Sequence, residues 1–350
     1  MRLTLSMKKC NVIYLLALLL VLYSCKPQNE PEQYVGKPLV ILDSDMGSST
    51  DDLFALQMLL YYEQQGKCKL LGVVVDREGE NCAACADVID TYFGSGATPL
   101  ALVRKGIENP KVWIDYQQMP YYTLSDGSDM FRRSISDYSS LPDGWKLYRR
   151  LLAQQPDHSV AICSTGFVTC LAQLLQSEAD EYSDLSGVEL VRRKVNCIYL
   201  QGGVFGEAQE PDFNLAQGPS FAQTFFNLWP KEVDMVFSPM EAGQDVEYTP
   251  EQVVSDISWT DVHPIKQVYL TCDCNTGQRM WDVMTVVNAV EGDEAFSLSE
   301  RGTVTVTPEC ATIFTVADNG NCRYQLPGSA AWSERMLQKI REANTSLKAK

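Results

Sequence analysis

The chain has 350 residues, with 45 acidic against 29 basic side chains and a formal net charge of −16. That balance argues against a nucleic acid polymer as partner, which would want a basic face, but leaves uncharged nucleosides open. Only His158 and His263 are present, so histidine-based catalysis or metal binding has almost no raw material.

The first residues read as an address. Lys8 and Lys9 supply positive charge, and Val12 to Tyr23 is an unbroken apolar run. That run is too short to span a bilayer comfortably, which takes about 20 residues. It ends in Leu22-Tyr23-Ser24-Cys25, which is similar to a lipobox. Residues 1–25 are therefore expected to be a lipoprotein signal peptide, with Cys25 the lipidated first residue of an exported, membrane-anchored mature chain. Residues 26–36, with Pro27 and Pro31, read as a flexible tether. Residues 37–350 are enough for one large core, and no Pro-, Gly- or Ser-rich linker divides them.

Along that domain, short apolar runs alternate with amphipathic stretches. Leu39 to Leu42, Leu70 to Val75, Leu100 to Val103, Val160 to Cys163, Cys197 to Leu200 and Met235 to Phe237 read as buried strands. Leu53 to Tyr62, Cys82 to Phe93, Trp145 to Ala153, Val168 to Leu175 and Phe221 to Leu228 read as helices. Apolar runs without polar alternation point to a parallel sheet covered on both faces, hence an open, mostly parallel, Rossmann-like α/β fold. Thr303 to Thr307 alternates Thr and Val, as a late antiparallel edge would, and Trp332 to Leu347 reads as a closing helix. Ten cysteines follow Cys25, and their spacing favours buried thiols over a disulfide framework. A zinc site from Cys82, Cys85, Cys272 and Cys274 is the alternative.

Ligands in such folds collect at the carboxyl ends of the strands. There the sequence reads Val40-Ile41-Leu42-Asp43-Ser44-Asp45-Met46-Gly47-Ser48-Ser49-Thr50-Asp51-Asp52, with four carboxylates between one strand and one helix. Like charges so close need an offset. A helix N-terminus offers roughly 0.3–1 kcal/mol, and a hard divalent cation with oxygen ligands offers far more. Helix capping by Thr50 or Asp51 explains one carboxylate, not four.

This segment resembles the opening motif of the nucleoside hydrolase family, D-x-D-P-G-x-D-D, matched at Asp43, Asp45, Gly47, Asp51 and Asp52. Met46 replaces the proline, and Ser48-Ser49-Thr50 replaces one residue, so the loop is two residues longer. Ser164-Thr165-Gly166-Phe167-Val168-Thr169-Cys170-Leu171-Ala172 resembles T-G-x-L-T-N-L-A. Gln201-Gly202-Gly203, followed by Asp212-Phe213-Asn214, resembles M-G-G and E-F-N. Trp281-Asp282 resembles the late x-D pair.

The resemblance implies a calcium ion held by Asp45, Asp52, the Thr165 carbonyl and Asp282. It implies a calcium-bound water whose proton Asp45 takes as general base, and Asp51, Asp212 and Asn214 contacting the ribose. The family's usual histidine before the late aspartate is Trp281 here, as in purine-preferring members that stack the base. Trp113 and Tyr116 are expected on the opposite face of that base. Asp76 stands where the family has a site asparagine, and either contacts substrate or pairs with Arg77. The implied activity is hydrolysis of ribonucleosides, purines preferred, by a dimer or tetramer. A calcium-dependent nucleoside-binding lipoprotein without turnover is the alternative. A haloacid-dehalogenase-type phosphatase using Asp43 is a weaker one, because Gly47 stands where that family wants threonine or valine.

Overall fold

A computed structural model describes residues 36–350 apart from 208, 209, 273 and 275. The expected signal peptide with Cys25, and the tether up to residue 35, lie outside the described residues. Strands β1 (Leu39–Ser44), β2 (Lys69–Val75), β3 (Leu100–Leu102), β4 (Val160–Ser164), β5 (Val195–Gln201) and β6 (Asp234–Ser238) form parallel ladders in the order β6-β5-β4-β1-β2-β3. Their apolar runs are buried on both faces, as a parallel sheet requires: Val40 and Leu42 join one core, and Ile41 joins the other. A separate pair, β7 (Glu247–Tyr248) and β8 (Gln278–Arg279), stands apart from this sheet. Beyond β6 lie β9 (Gly302–Val306), β10 (Thr312–Val316) and β11 (Cys322–Tyr324), in the order β10-β9-β11. β9 and β10 make the expected antiparallel edge, but β11 runs parallel to β6.

Helices α1 (Asp51–Gln64) and α2 (Glu80–Phe93) pack on one face. Helices α3 (Gly144–Ala153), α4 (Thr169–Gln176), α5 (Gly187–Lys194), α6 (Phe213–Gln217) and α7 (Pro219–Leu228) pack on the other. After the short α8 (Met240–Gly243), the chain returns to the first face with α9 (Pro250–Asp256), α10 (Pro264–Thr271), α11 (Trp281–Glu291) and α12 (Ala330–Ser346). Among the described residues no helix is long and apolar enough to cross a membrane. Of the ten cysteines after Cys25, all are buried except the half-buried Cys272.

The strand order reverses between β1 and β4. That reversal opens a crevice at their carboxyl ends, because the connecting loops part on either side of it. Asp43 and Ser164 pair across it, so the two segments of the sequence motif meet there.

Candidate active site

Carboxylates reach the crevice from three directions. Asp45 follows β1 by one residue, Asp51 and Asp52 open α1, and Asp282 lies in the first turn of α11. One oxygen each of Asp51, Asp52 and Asp282 lies within 4.8 Å of the others, and all three residues are buried. The Asp282 amide donates to Asp51 Oδ2 at 3.3 Å, Ser49 Oγ donates to Asp51 Oδ1 at 2.6 Å, and the Ser44 hydroxyl donates to Asp52. Thr50 makes no side-chain cap on α1, so capping does not account for the cluster. Two helix N-termini lend it partial positive charge, and Arg77, whose charge eases Asp52, is ion-paired with Asp45 instead.

That deficit shows in the acidities. Burial pushes the Asp51 carboxyl up to about 6. Burial, and then repulsion from Asp45 and Asp51, holds Asp52 well above the usual carboxylate range. Asp282 is raised in the same way, by burial and then by Asp51, Asp52 and Asp45. Three buried oxygens that repel one another, with no nitrogen or sulfur ligand among them, fit a hard divalent cation such as calcium.

Asp45 is held differently. Arg77 Nε donates to the Asp45 carbonyl at 2.8 Å, and Arg77 Nη2 donates to Asp45 Oδ2 at 2.9 Å. Burial raises the Asp45 carboxyl, and Arg77 opposes that rise. Gly166 permits the close approach behind it, since a Cβ there would overlap the Asp45 backbone and lie 2.8 Å from Asp76 Oδ1. Thr165 lines the crevice; its amide and hydroxyl donate to the Asp43 carbonyl at 2.7 and 3.1 Å. Its own carbonyl accepts from Asn214 Nδ2 at 3.4 Å.

These residues floor a cleft of about 670 Å³, which also takes in Trp113, Gln201, Asp212, Asn214, Arg279 and Trp281. Asp212 caps α6, accepting from the Leu215 and Gly203 amides at 2.9 Å each. Asn214 Nδ2 also donates to Gln201 Oε1 at 2.6 Å. Trp281 Nε1 donates to the Met240 carbonyl at 2.9 Å, and the Arg279 guanidinium stands 5.7 Å from its ring centre. Trp113 is 71% exposed, with its ring 5.6 Å from that of Phe213.

Two expected residues are not in the cleft lining. Tyr116 is fully buried, and its hydroxyl accepts from the Gly47 amide at 2.9 Å; it braces the lengthened loop instead of facing a base. Asp76 is fully buried beside Asp43, whose carboxylate also accepts from Tyr148 at 2.8 Å. Burial and the Asp43 charge hold Asp76 well above its usual range. It is not in the cleft lining, and the ion-pair partner of Arg77 is Asp45. Neither histidine lines the cleft. Gln201, Phe213 and Arg279 are among the cleft residues that the sequence pattern did not assign to the site, and Arg77 touches the site only through Asp45. Gln201 was findable, because it ends a strand at the carboxyl edge.

The model of the inosine-uridine preferring nucleoside hydrolase family matches residues 40–325. The chain belongs to this family. As a nucleoside hydrolase it is an N-glycosyl hydrolase acting on ribonucleosides, and the phosphatase alternative falls away. A sequence comparison with curated proteins finds no match. Solved structures share the fold. The inosine-uridine preferring nucleoside hydrolase from Bacillus anthracis has a TM-score of 0.64 at 17% identity, covering 88% of this chain and 99% of its own. An inosine-guanosine nucleoside hydrolase has 0.67 at 13%, covering 87% and 98%. The type III effector XopQ, solved with adenosine diphosphate ribose, has 0.63 at 13%, covering 98% and 100%.

Proposed function

We propose that this nucleoside hydrolase prefers purine ribonucleosides and uses calcium, releasing ribose and the free base. The observation that carries the reading is the convergence of Asp51, Asp52 and Asp282 in one cleft with two tryptophans. Asp45 and Thr165 line the same cleft. The Asp45 carboxylate and the Thr165 carbonyl would complete an oxygen-only ligand set. Bound calcium would neutralise the carboxylates, anchor ribose hydroxyls and acidify a water.

The chain's own residues supply the rest. Asp45 accepts the proton of the attacking water. Water oxygen bonds to the anomeric carbon as the N-glycosidic bond breaks, and its electron pair leaves with the base. The carboxylates around the ribose stabilise the oxocarbenium character that develops. Asp212 and Asn214 hold the sugar. Trp281 and Trp113 stack the base, which takes its proton from solvent.

The test is ribose release from inosine, guanosine, adenosine, uridine and cytidine, with and without a chelator. Purines are expected to turn over faster, and the chelator to stop turnover. Asp45→Asn is nearly isosteric and should lower kcat by about 10²- to 10⁴-fold, the span of a general base. Faster turnover of uridine than of inosine would sink the purine assignment, and full activity in chelator would sink the metal.

A further inference from the structure

Asp45 is the one carboxylate of the cluster that a basic side chain grips. Arg77 is 2% exposed and does not line the cleft, so whatever it does for the reaction it does through another residue. Its fork takes the Asp45 carbonyl with Nε and one Asp45 carboxylate oxygen with Nη2, at 2.8 and 2.9 Å. Nη2 also donates to the Lys111 carbonyl at 3.2 Å, and the guanidinium lies 5.1 Å from the Phe167 ring centre. A planar fork fixed at both ends leaves the aspartate little freedom to rotate. Stability is a poor reason for such a pair, because burying two charges costs about as much as their attraction returns.

We propose that Arg77 is a positioning residue for the hydrolytic step. It holds Asp45 by Oδ2 and by its main chain, which leaves Oδ1 free to take the proton of the attacking water. The inference rests on the reading of Asp45 as general base. The oxygens that converge are those of Asp51, Asp52 and Asp282; Asp45, which the proposed ligand set adds to them, is the acid that Arg77 orients.

The experiment measures kcat and KM for wild type, Arg77→Ala and Arg77→Lys on inosine and on nitrophenyl riboside. Because Arg77 acts on the water side, kcat should fall about 100-fold on both substrates, with KM within about threefold, as loss of an aligned base predicts. Guanidinium ion at millimolar concentration should restore Arg77→Ala at least tenfold. Lysine, a point charge without the fork, should restore only part. A folded Arg77→Ala within threefold of wild type overturns the inference. So does a loss that comes with raised KM and is not relieved by guanidinium, which marks general disturbance. If Arg77→Ala does not fold, Arg77→Lys decides: a fall under threefold overturns the proposal, and a larger one at constant KM supports it. Wild type inert on both substrates defeats the hydrolase reading itself and the inference with it, a result distinct from an active wild type with an equally active variant.

Discussion

Trp281 gives its indole N–H to the Met240 carbonyl, so it has no proton left for a departing base. Under the proposed function its contribution is a stacking surface, worth about 1–3 kcal/mol per base. Trp281→Ala should lower kcat/KM for inosine by about tenfold or more, since 1.36 kcal/mol is a factor of ten. Nitrophenyl riboside, whose leaving group needs no help, should lose much less. Equal losses on both substrates would make Trp281 a packing residue. Asp45, Asp51 and Asp52 were legible because carboxylates crowded at the end of a buried strand repel one another unless something shared offsets them; Asp212 and Asp282, far along the chain, were legible only through the family resemblance. Arg77 was not. In the sequence it adjoins Asp76 and reads as its partner. Both lie past the end of β2, where the chain bends: Asp76 sits beside Asp43, and Arg77 pairs with Asp45.

At the scale of elements, the central strands were readable because both of their faces are buried, which forces continuous apolar runs. The three-residue β11 has only Cys322 buried, and β7 and β8 have two residues each, so none carries a pattern long enough to read. Helix α5 did carry one: Ser186 and Glu189 form a capping box at its start, a local feature that the apolar runs overshadowed. Another cap has a pH consequence. His263 caps α10, its Nδ1 accepting from the Lys266 amide at 3.4 Å, with the rings of Phe93, Tyr92 and Trp259 at 5.2, 5.6 and 5.7 Å. Burial, then Lys266 and Lys348, pushes its pKa down to about 3. Below about 6.5 the unfolded chain binds a proton there that the folded chain refuses, so stability falls as pH falls, by up to about 1.4 kcal/mol per unit, until about pH 3. His263→Asn keeps a capping acceptor but cannot titrate. Denaturant melts of both proteins between pH 7 and pH 4 should show a stability difference that narrows as the pH drops. A constant difference would mean that His263 has the same pKa in the folded and unfolded chain.

For the molecule as a whole, the acid cluster is a liability that a cation converts into a clasp. Asp51 and Asp52 open a helix near the start of the domain, and Asp282 opens one near its end. Both helices pack in the same core, so a ligand shared by the three acids ties distant parts of the chain together. A cation that binds only the folded state stabilises it by about 2.7 kcal/mol at one hundred times its Kd. For a domain of this size, that is a rise in Tm of a few degrees. Calcium should produce the rise, and magnesium should produce less of it, because magnesium demands near-octahedral ligands at about 2.0–2.1 Å. Protons compete for the same oxygens: Asp51 alone holds its proton up to about pH 6, so the calcium-dependent rise should shrink as pH falls from 7.5 toward 5. Asp282→Asn removes one of the three carboxylates and should abolish most of the rise. It should also leave the metal-free protein no less stable at pH 7.5, since it takes away a buried carboxylate that Asp51 and Asp52 repel. Scanning calorimetry with calcium and with chelator, on wild type and on this variant, measures both effects. Identical melting of wild type in calcium and in chelator at pH 7.5 would show that the trio does not bind the ion.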